Sequence, residues 1–162
     1  MKKLWWGKYA KYYDSIWDSA WTAWYSNYII GILENEKVKS ALDLGCGTGL
    51  FAQYMVARGL NVTGVDICFE MLEIARKRCP DTLFINKEVS NLDLKVLTGI
   101  GAVIALNLVH VCMDINNVAD RIISKIAGDS ILGIITWPAD QMSLWKMFWL
   151  DRKYGSPLFP NK

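Results

Sequence analysis

The sequence predicts an α/β fold, a doubly wound and mostly parallel sheet with helices on both faces. Three observations carry this. After residue 38, short β-branched or apolar runs at 39–44, 61–66, 82–86, 101–107 and 130–136 alternate with helix-period segments at about 49–58, 69–78 and 116–127. That alternation is the mark of βαβ units. The run "AVIALNLV" is apolar on successive positions, as suits a central strand buried on both faces. Finally, "ALDLGCGTGLFAQYM" places Gly45, Gly47 and Gly49 between the first strand and the first helix of the alternating part.

A chain of 162 residues fits one domain. It is 52% hydrophobic and 21% charged, which argues against disorder. The net charge of +2 comes from acids and bases spread along the chain, so no basic stripe for nucleic acid is expected. The four cysteines, Cys46, Cys68, Cys79 and Cys112, form no C-x-x-C pair, and there is a single histidine. This is not a metal-ligand pattern, and reduced thiols in a cytoplasmic protein are the simpler reading. Neither a signal-peptide core nor a run of the roughly 18 apolar residues needed to span a membrane is visible.

Three segments follow: an aromatic helical cap over 1–34, a core over 35–138, and a C-terminal helix and tail over 139–162. The first holds five of the eight tryptophans and five of the seven tyrosines. At 100° per residue Tyr9, Tyr13, Trp17, Trp21, Trp24 and Tyr28 fall within an arc of roughly 120°. The stripe suits packing on the sheet, a lid over an apolar pocket, or contact with a membrane surface, which the sparse lysines favour only weakly.

In a doubly wound sheet the ligand lies beyond the carboxyl ends of the strands, which puts the turn 45–49 at the binding site. Glycine there permits unusual backbone angles and lets a ligand touch the main chain. The second strand ends in Asp66, 21 residues after Gly45, where an acid can accept hydrogen bonds from a ribose. A nucleoside-containing cofactor is therefore expected. The dinucleotide fingerprint G-x-G-x-x-G is not met, since Leu50 holds its last position, and Asp43 before the first glycine would repel a pyrophosphate. An ammonium group would instead be stabilised by Asp43.

On these residues the chain resembles the class I, Rossmann-like S-adenosylmethionine-dependent methyltransferases. "LDLGCGTG" is similar to that family's first motif. "GVDICFEMLEIAR" resembles the segment whose acid, here Asp66, holds the ribose; Ile67 and Met71 would border the adenine. "NKEVSNLDL" resembles the third segment, with Glu88 and the Val89 backbone at the adenine. "VIALNLVHV" resembles the fourth, with Asn107 nearest the methionine part. "YAKYYDSIW" resembles an N-terminal helix whose tyrosine, here Tyr13, closes over the cofactor. The resemblance implies S-adenosyl-L-methionine as cofactor, with Tyr13, Asp43, Gly45, Cys46, Gly47, Gly49, Asp66, Ile67, Met71, Glu88, Val89 and Asn107 binding it.

Departures from the family pattern include Cys68 at a helix start, Gly101 and Ala102 in place of an aromatic–acid pair, and Asn86 and Lys87 before the adenine-side acid. The end departs most. "MSLWKMFWLDRKYG" reads as helix, so strands six and seven are expected to be missing and the fifth to be an open edge. The chain would then be a fragment of a longer product, or its tail or a second copy would cover that edge. His110 is the candidate general base, and a strand-end or helix-facing role is the alternative. With no N-P-P-Y motif and no basic stripe, a small-molecule or lipid-like acceptor is expected. The competing readings are an NAD(P)-dependent oxidoreductase with an atypical loop and a non-catalytic cofactor-binding or interaction module.

Overall fold

The computed structural model describes residues 2–16, 19–108, 115–125, 131–136 and 146–150. The chain begins with α1 (Lys2–Tyr9), a 3₁₀ turn (Ala10–Tyr12), α2 (Tyr13–Ile16) and α3 (Ser19–Asn35). The alternating part follows: β1 (Ser40–Leu44), α4 (Leu50–Ala57), β2 (Asn61–Asp66), α5 (Phe69–Arg78), β3 (Leu83–Asn86), β4 (Ala102–Leu106), α6 (Ile115–Ile123), β5 (Ile131–Thr136) and β6 (Lys146–Leu150). Between β3 and β4 lie two 3₁₀ turns, Val89–Asn91 and Leu94–Leu97.

The sheet has the order β3-β2-β1-β4-β5-β6. β1 to β5 pair in parallel and β6 runs antiparallel to β5. Strand order reverses between β1 and β4, which puts a switch point at the carboxyl end of β1. Alternate residues of the central strands feed two cores. Ala41, Ala102, Ile104 and Val62 pack against Ile29, Ile30 and Leu33 of α3, Met55 of α4, and Leu72 and Ala75 of α5. Leu42, Leu44, Val103 and Ala105 pack against Val118 and Ile122 of α6 and against the 3₁₀ turns. The expected doubly wound architecture, buried on both faces, is therefore present.

Two expectations are corrected. The segment read as a C-terminal helix contains β6, paired with β5 from Leu132↔Leu150 to Thr136↔Lys146. The sixth strand is present and the fifth is not an open edge; no seventh strand occurs among the described residues. An unpaired edge presents a row of free N–H and C=O groups, and satisfying them outweighs the helix period of "LWKMFWL", whose aromatic residues suit a strand equally well. Self-association through β5 loses the free edge it was expected to use.

The aromatic stripe is interrupted by the 3₁₀ turn Ala10–Tyr12, and Trp17 and the side chain of Trp21 lie outside the described residues. The face of α3 that meets the sheet is Ser26, Ile29, Ile30 and Leu33, all buried, whereas Trp24 is 51% exposed and stacks on Tyr28. Aliphatic side chains interdigitate with β-branched strand residues more closely than indoles do, so they take the inner face.

Candidate functional site

The first strand delivers its last residues to the switch point and the chain then turns sharply. Gly45, Gly47 and Gly49 all take left-handed φ, at 70°, 53° and 73°. The turn is pinned to the end of β2, where the Val65 carbonyl accepts from the N–H groups of Gly45 at 2.7 Å and Cys46 at 3.1 Å. The glycines have different tasks. A Cβ on Gly49 would sit 2.9 Å from the Cβ of Ala75, so that glycine lets α4 start against α5. A Cβ on Gly47 would meet only Tyr13, at 4.0 Å, because it would project into open space.

That space is a small cavity, partly open to solvent. Asp43, Gly45, Cys46, Gly47 and Thr48 form one wall, Leu50 and Phe51 of α4 a second, and Leu106 and Asn107 at the end of β4 a third. Tyr13 and Tyr25 close it from the N-terminal segment.

Two carboxyl groups serve this cavity. Asp43 is buried, and its Oδ2 has no hydrogen-bond partner. Burial first, and the charge of Asp66 second, push its pKa up to about 8. Asp66 lies beneath the turn and accepts from the Gly47 N–H (2.9 Å to Oδ2) and the Cys68 N–H (2.8 Å to Oδ1). Burial raises its pKa too, against the lowering effect of those N–H groups. Asn107 holds a left-handed φ of 55°, uncommon for a residue other than glycine, and its Oδ1 is buried without a partner. Burial raises the pKa of the Tyr13 hydroxyl and of the Cys46 thiol, so both stay neutral near pH 7. An acid without a cation and an amide oxygen without a donor, side by side, fit a ligand that brings positive charge and N–H groups.

The sequence-predicted residues divide into groups. Tyr13, Asp43, Gly45, Cys46, Gly47 and Asn107 line the one cavity, and Asp66 is bonded to its turn. Gly49 stands at the start of α4, turned towards α5. Ile67 is partly exposed, one residue past β2. Met71 is buried in a cluster with Ala10, Cys68, Trp6 and Tyr13. Glu88 is exposed, with Asn91 Nδ2 donating to it at 3.3 Å, and the Val89 side chain packs into the core on the α6 face. His110 lies outside the described residues.

Sequence reading missed Thr48, Tyr25, Asp14, Arg78 and Arg121. Thr48 is buried between two glycines, and its position inside the motif was the one available signal. The others act through partners distant in the chain. Among the described residues no group of three or more His, Cys, Asp or Glu could hold a metal ion. Nor is any described helix long and apolar enough to cross a membrane.

Comparison with known proteins agrees with this geometry. Residues 41–127 match the family described as "Methyltransferase domain". A ubiquinone biosynthesis O-methyltransferase of Nitrosomonas europaea is 40% identical over 50 residues, 31% of this chain and 21% of that protein. The Yersinia pestis (strain Pestoides F) protein of the same name is 42% identical over 60 residues, 35% of this chain and 23% of its own. The matches therefore span about a fifth of the curated relatives' length. Among solved structures, S-adenosylmethionine-bound CalS10, an amino pentose methyltransferase from Micromonospora echinaspora, superposes with a TM-score of 0.62 at 20% identity, covering 75% of this chain and 58% of that one. The plantazolicin methyltransferase BpumL, in complex with a triazolic analogue and SAH, gives 0.67 at 16% identity, covering 80% and 52%. These likenesses show a shared fold. With more than half of its length matched by the family, and with the glycine turn, the switch point and the β2 acid in place, the chain belongs to the methyltransferase-domain family of class I S-adenosylmethionine-dependent methyltransferases.

Proposed function

We propose that this chain binds S-adenosyl-L-methionine over the glycine turn and methylates a small-molecule acceptor. One observation carries the reading: a buried Asp43 carboxyl, its Oδ2 without a partner, in the wall of a glycine-lined cavity, with Asp66 near enough to raise its pKa. The residues fit the cofactor. Its ammonium suits Asp43 and, through another of its N–H bonds, the Asn107 amide oxygen, and its ribose suits Asp66. Ile67, Met71, Glu88 and the Val89 backbone are assigned to the adenine side.

When bound, the cofactor supplies an electrophilic methyl group on a sulfonium. The chain's own tasks are then to position the acceptor, exclude water and remove a proton where the acceptor needs it. Tyr13, Tyr25, Leu106 and Phe51 supply an apolar enclosure. Proton removal is assigned to His110, four residues beyond β4. The small-molecule acceptor is supported by relatives named for ubiquinone biosynthesis and for an amino pentose. Free Cys46, Cys68 and Cys79 support a cytoplasmic setting.

The test is a calorimetric titration of the 162-residue chain with S-adenosylhomocysteine, with NADPH as control. Micromolar binding of the first alone is expected, followed by methyl incorporation into phenolic or amino-sugar acceptors. Binding of NADPH instead would overturn the cofactor assignment. Tight binding without turnover across such a panel would favour a non-catalytic binding module.

A further inference from the structure

The N-terminal segment does more than flank the cavity; it is fastened across it. The Thr48 hydroxyl, inside the glycine turn, donates to Asp14 Oδ1 at 2.6 Å. Arg78, the last residue of α5, donates through Nη1 to the Thr48 carbonyl at 2.7 Å and to the Thr48 hydroxyl at 3.1 Å. Its Nη2 forms an ion pair with Asp14 Oδ2. Turn, helix end and N-terminal segment are thus tied by one closed set of charge-assisted bonds. The ion pair is only 20% exposed on the arginine side and 33% on the aspartate side, so it is partly shielded from solvent.

Next to Asp14, Tyr13 stands against Gly47 and meets Trp6 edge-on, with ring centroids 5.9 Å apart. Ala10, Trp6 and Tyr13 bury Met71 and Cys68 at the start of α5. Helix α1 passes so near that a Cβ on Gly7 would lie 2.8 Å from the Glu70 carboxyl carbon. The ground between the glycine turn and α5, where the nucleoside part of the cofactor belongs on the proposed reading, is thus covered by the segment that Asp14 holds down.

We propose that Asp14 and Arg78 are positioning residues that latch the N-terminal segment shut over the cofactor cleft, so that cofactor enters and leaves only when their ion pair opens. The inference rests on the proposed cofactor. Neither residue touches the reacting atoms. Both act through Thr48 and Tyr13, and Asp14 can let go without disturbing the Arg78–Thr48 bonds that shape the turn.

The experiment is stopped-flow exchange of S-adenosylhomocysteine, with hydrogen exchange of residues 2–16 in the same proteins. In Asp14→Ala the association and dissociation rates should both rise, by about tenfold, while Kd moves much less. A part that merely stabilised the bound state would raise dissociation alone. The milder Asp14→Asn keeps an acceptor for Thr48 and should fall between the two. The charge-reversed pair Asp14→Arg with Arg78→Asp should recover slow exchange in part. Added salt should speed exchange in the wild type but not in Asp14→Ala. Unchanged rates in Asp14→Ala, or a change in dissociation alone, would overturn the latch while leaving the cofactor reading intact. A folded wild type that does not bind S-adenosylhomocysteine would overturn the cofactor reading. The fastening would still stand or fall on faster amide exchange of residues 2–16 in the ligand-free Asp14→Ala protein.

Discussion

The two ends of the cleft are built differently. At the end assigned to the methionine part, Asp43, Gly47 and Asn107 are set by the sheet and the turn, and the Asp43 Oδ2 and Asn107 Oδ1 atoms are buried without partners at the cavity wall. At the end assigned to the adenine, Met71 is buried under the N-terminal segment, Glu88 is out in solvent and the Val89 side chain belongs to the core. One end is a preformed acidic socket. The other is assembled from loops and a strapped-down helix. The difference teaches that charge recognition needs pre-organisation, because a buried carboxyl is costly to move or to leave half-solvated. A flat apolar base tolerates a surface that closes on it.

The largest effect that would test the contrast comes from Gly47→Val. A branched residue at φ 53° is strained by more than about 1–2 kcal/mol, and its Cβ would enter the cavity. Binding of S-adenosylhomocysteine should become undetectable, with only a modest fall in melting temperature, because little packs against Gly47. Gly49→Ala should show the opposite balance, since its new Cβ would press on Ala75 in the core. If calorimetry finds Gly47→Val still binding, the preformed socket is not where the ligand sits.

Asp43 gives the next effect, a dependence on pH. Its folded pKa of about 8 lies above the ordinary 3.8, so the ligand-free folded chain keeps a proton that the unfolded chain gives up. The resulting stability is full below about pH 4 and is lost as pH rises through about 8. A ligand with an ammonium favours the ionised form. Binding at pH 7 should therefore release close to one proton, and affinity should climb by up to about tenfold per pH unit between about 6 and 8. Asp66, also raised by burial, adds to this in the same direction, whereas Cys46 and Tyr13 stay neutral throughout. Titrations in buffers of different ionisation enthalpy measure the release, and Asp43→Asn should flatten it. No release in the wild type would mean that the carboxyl is already charged, and the socket would lose its central feature.

Much of the socket was legible in the sequence because it is local. Three glycines, an acid two residues before them and an acid at the next strand end each declare a backbone need or a charge within a short window. The alternation of strands and helices was legible for the same reason. What sequence could not show is pairing at a distance. "KMFWL" pairs with a strand some fifteen residues earlier, and only the neighbouring edge decides that it is extended. Asp14, Thr48 and Arg78 meet across 34 and 64 residues of chain, with one of the arginine's three bonds going to a carbonyl that carries no side-chain signature. Of the aromatic arc, Tyr13 closes the cavity and Tyr28 packs against the core while Trp24 is exposed, a division that periodicity alone does not report.

Arg121 offers the smallest effect and the finest division between the two ends. Standing on α6, it donates to the carbonyls of Ser90, inside the 3₁₀ turn that follows Glu88, and, at 3.1 Å, of Leu92, just after that turn. Those bonds hold the loop at the adenine end without touching the methionine end. Arg121→Ala removes both and leaves the two carbonyls to water or to a shifted loop. Affinity for S-adenosylhomocysteine should fall about three- to tenfold, because a loop that wanders must be re-ordered on binding. Proton release at pH 7 should stay as in the wild type, since Asp43 sits on β1, two strands away from β3 and the loop that follows it. An unchanged affinity would remove this loop from the site. A drop in proton release along with affinity would show the two ends to be coupled, and the contrast between a fixed socket and an assembled wall would give way to a single cooperative cleft.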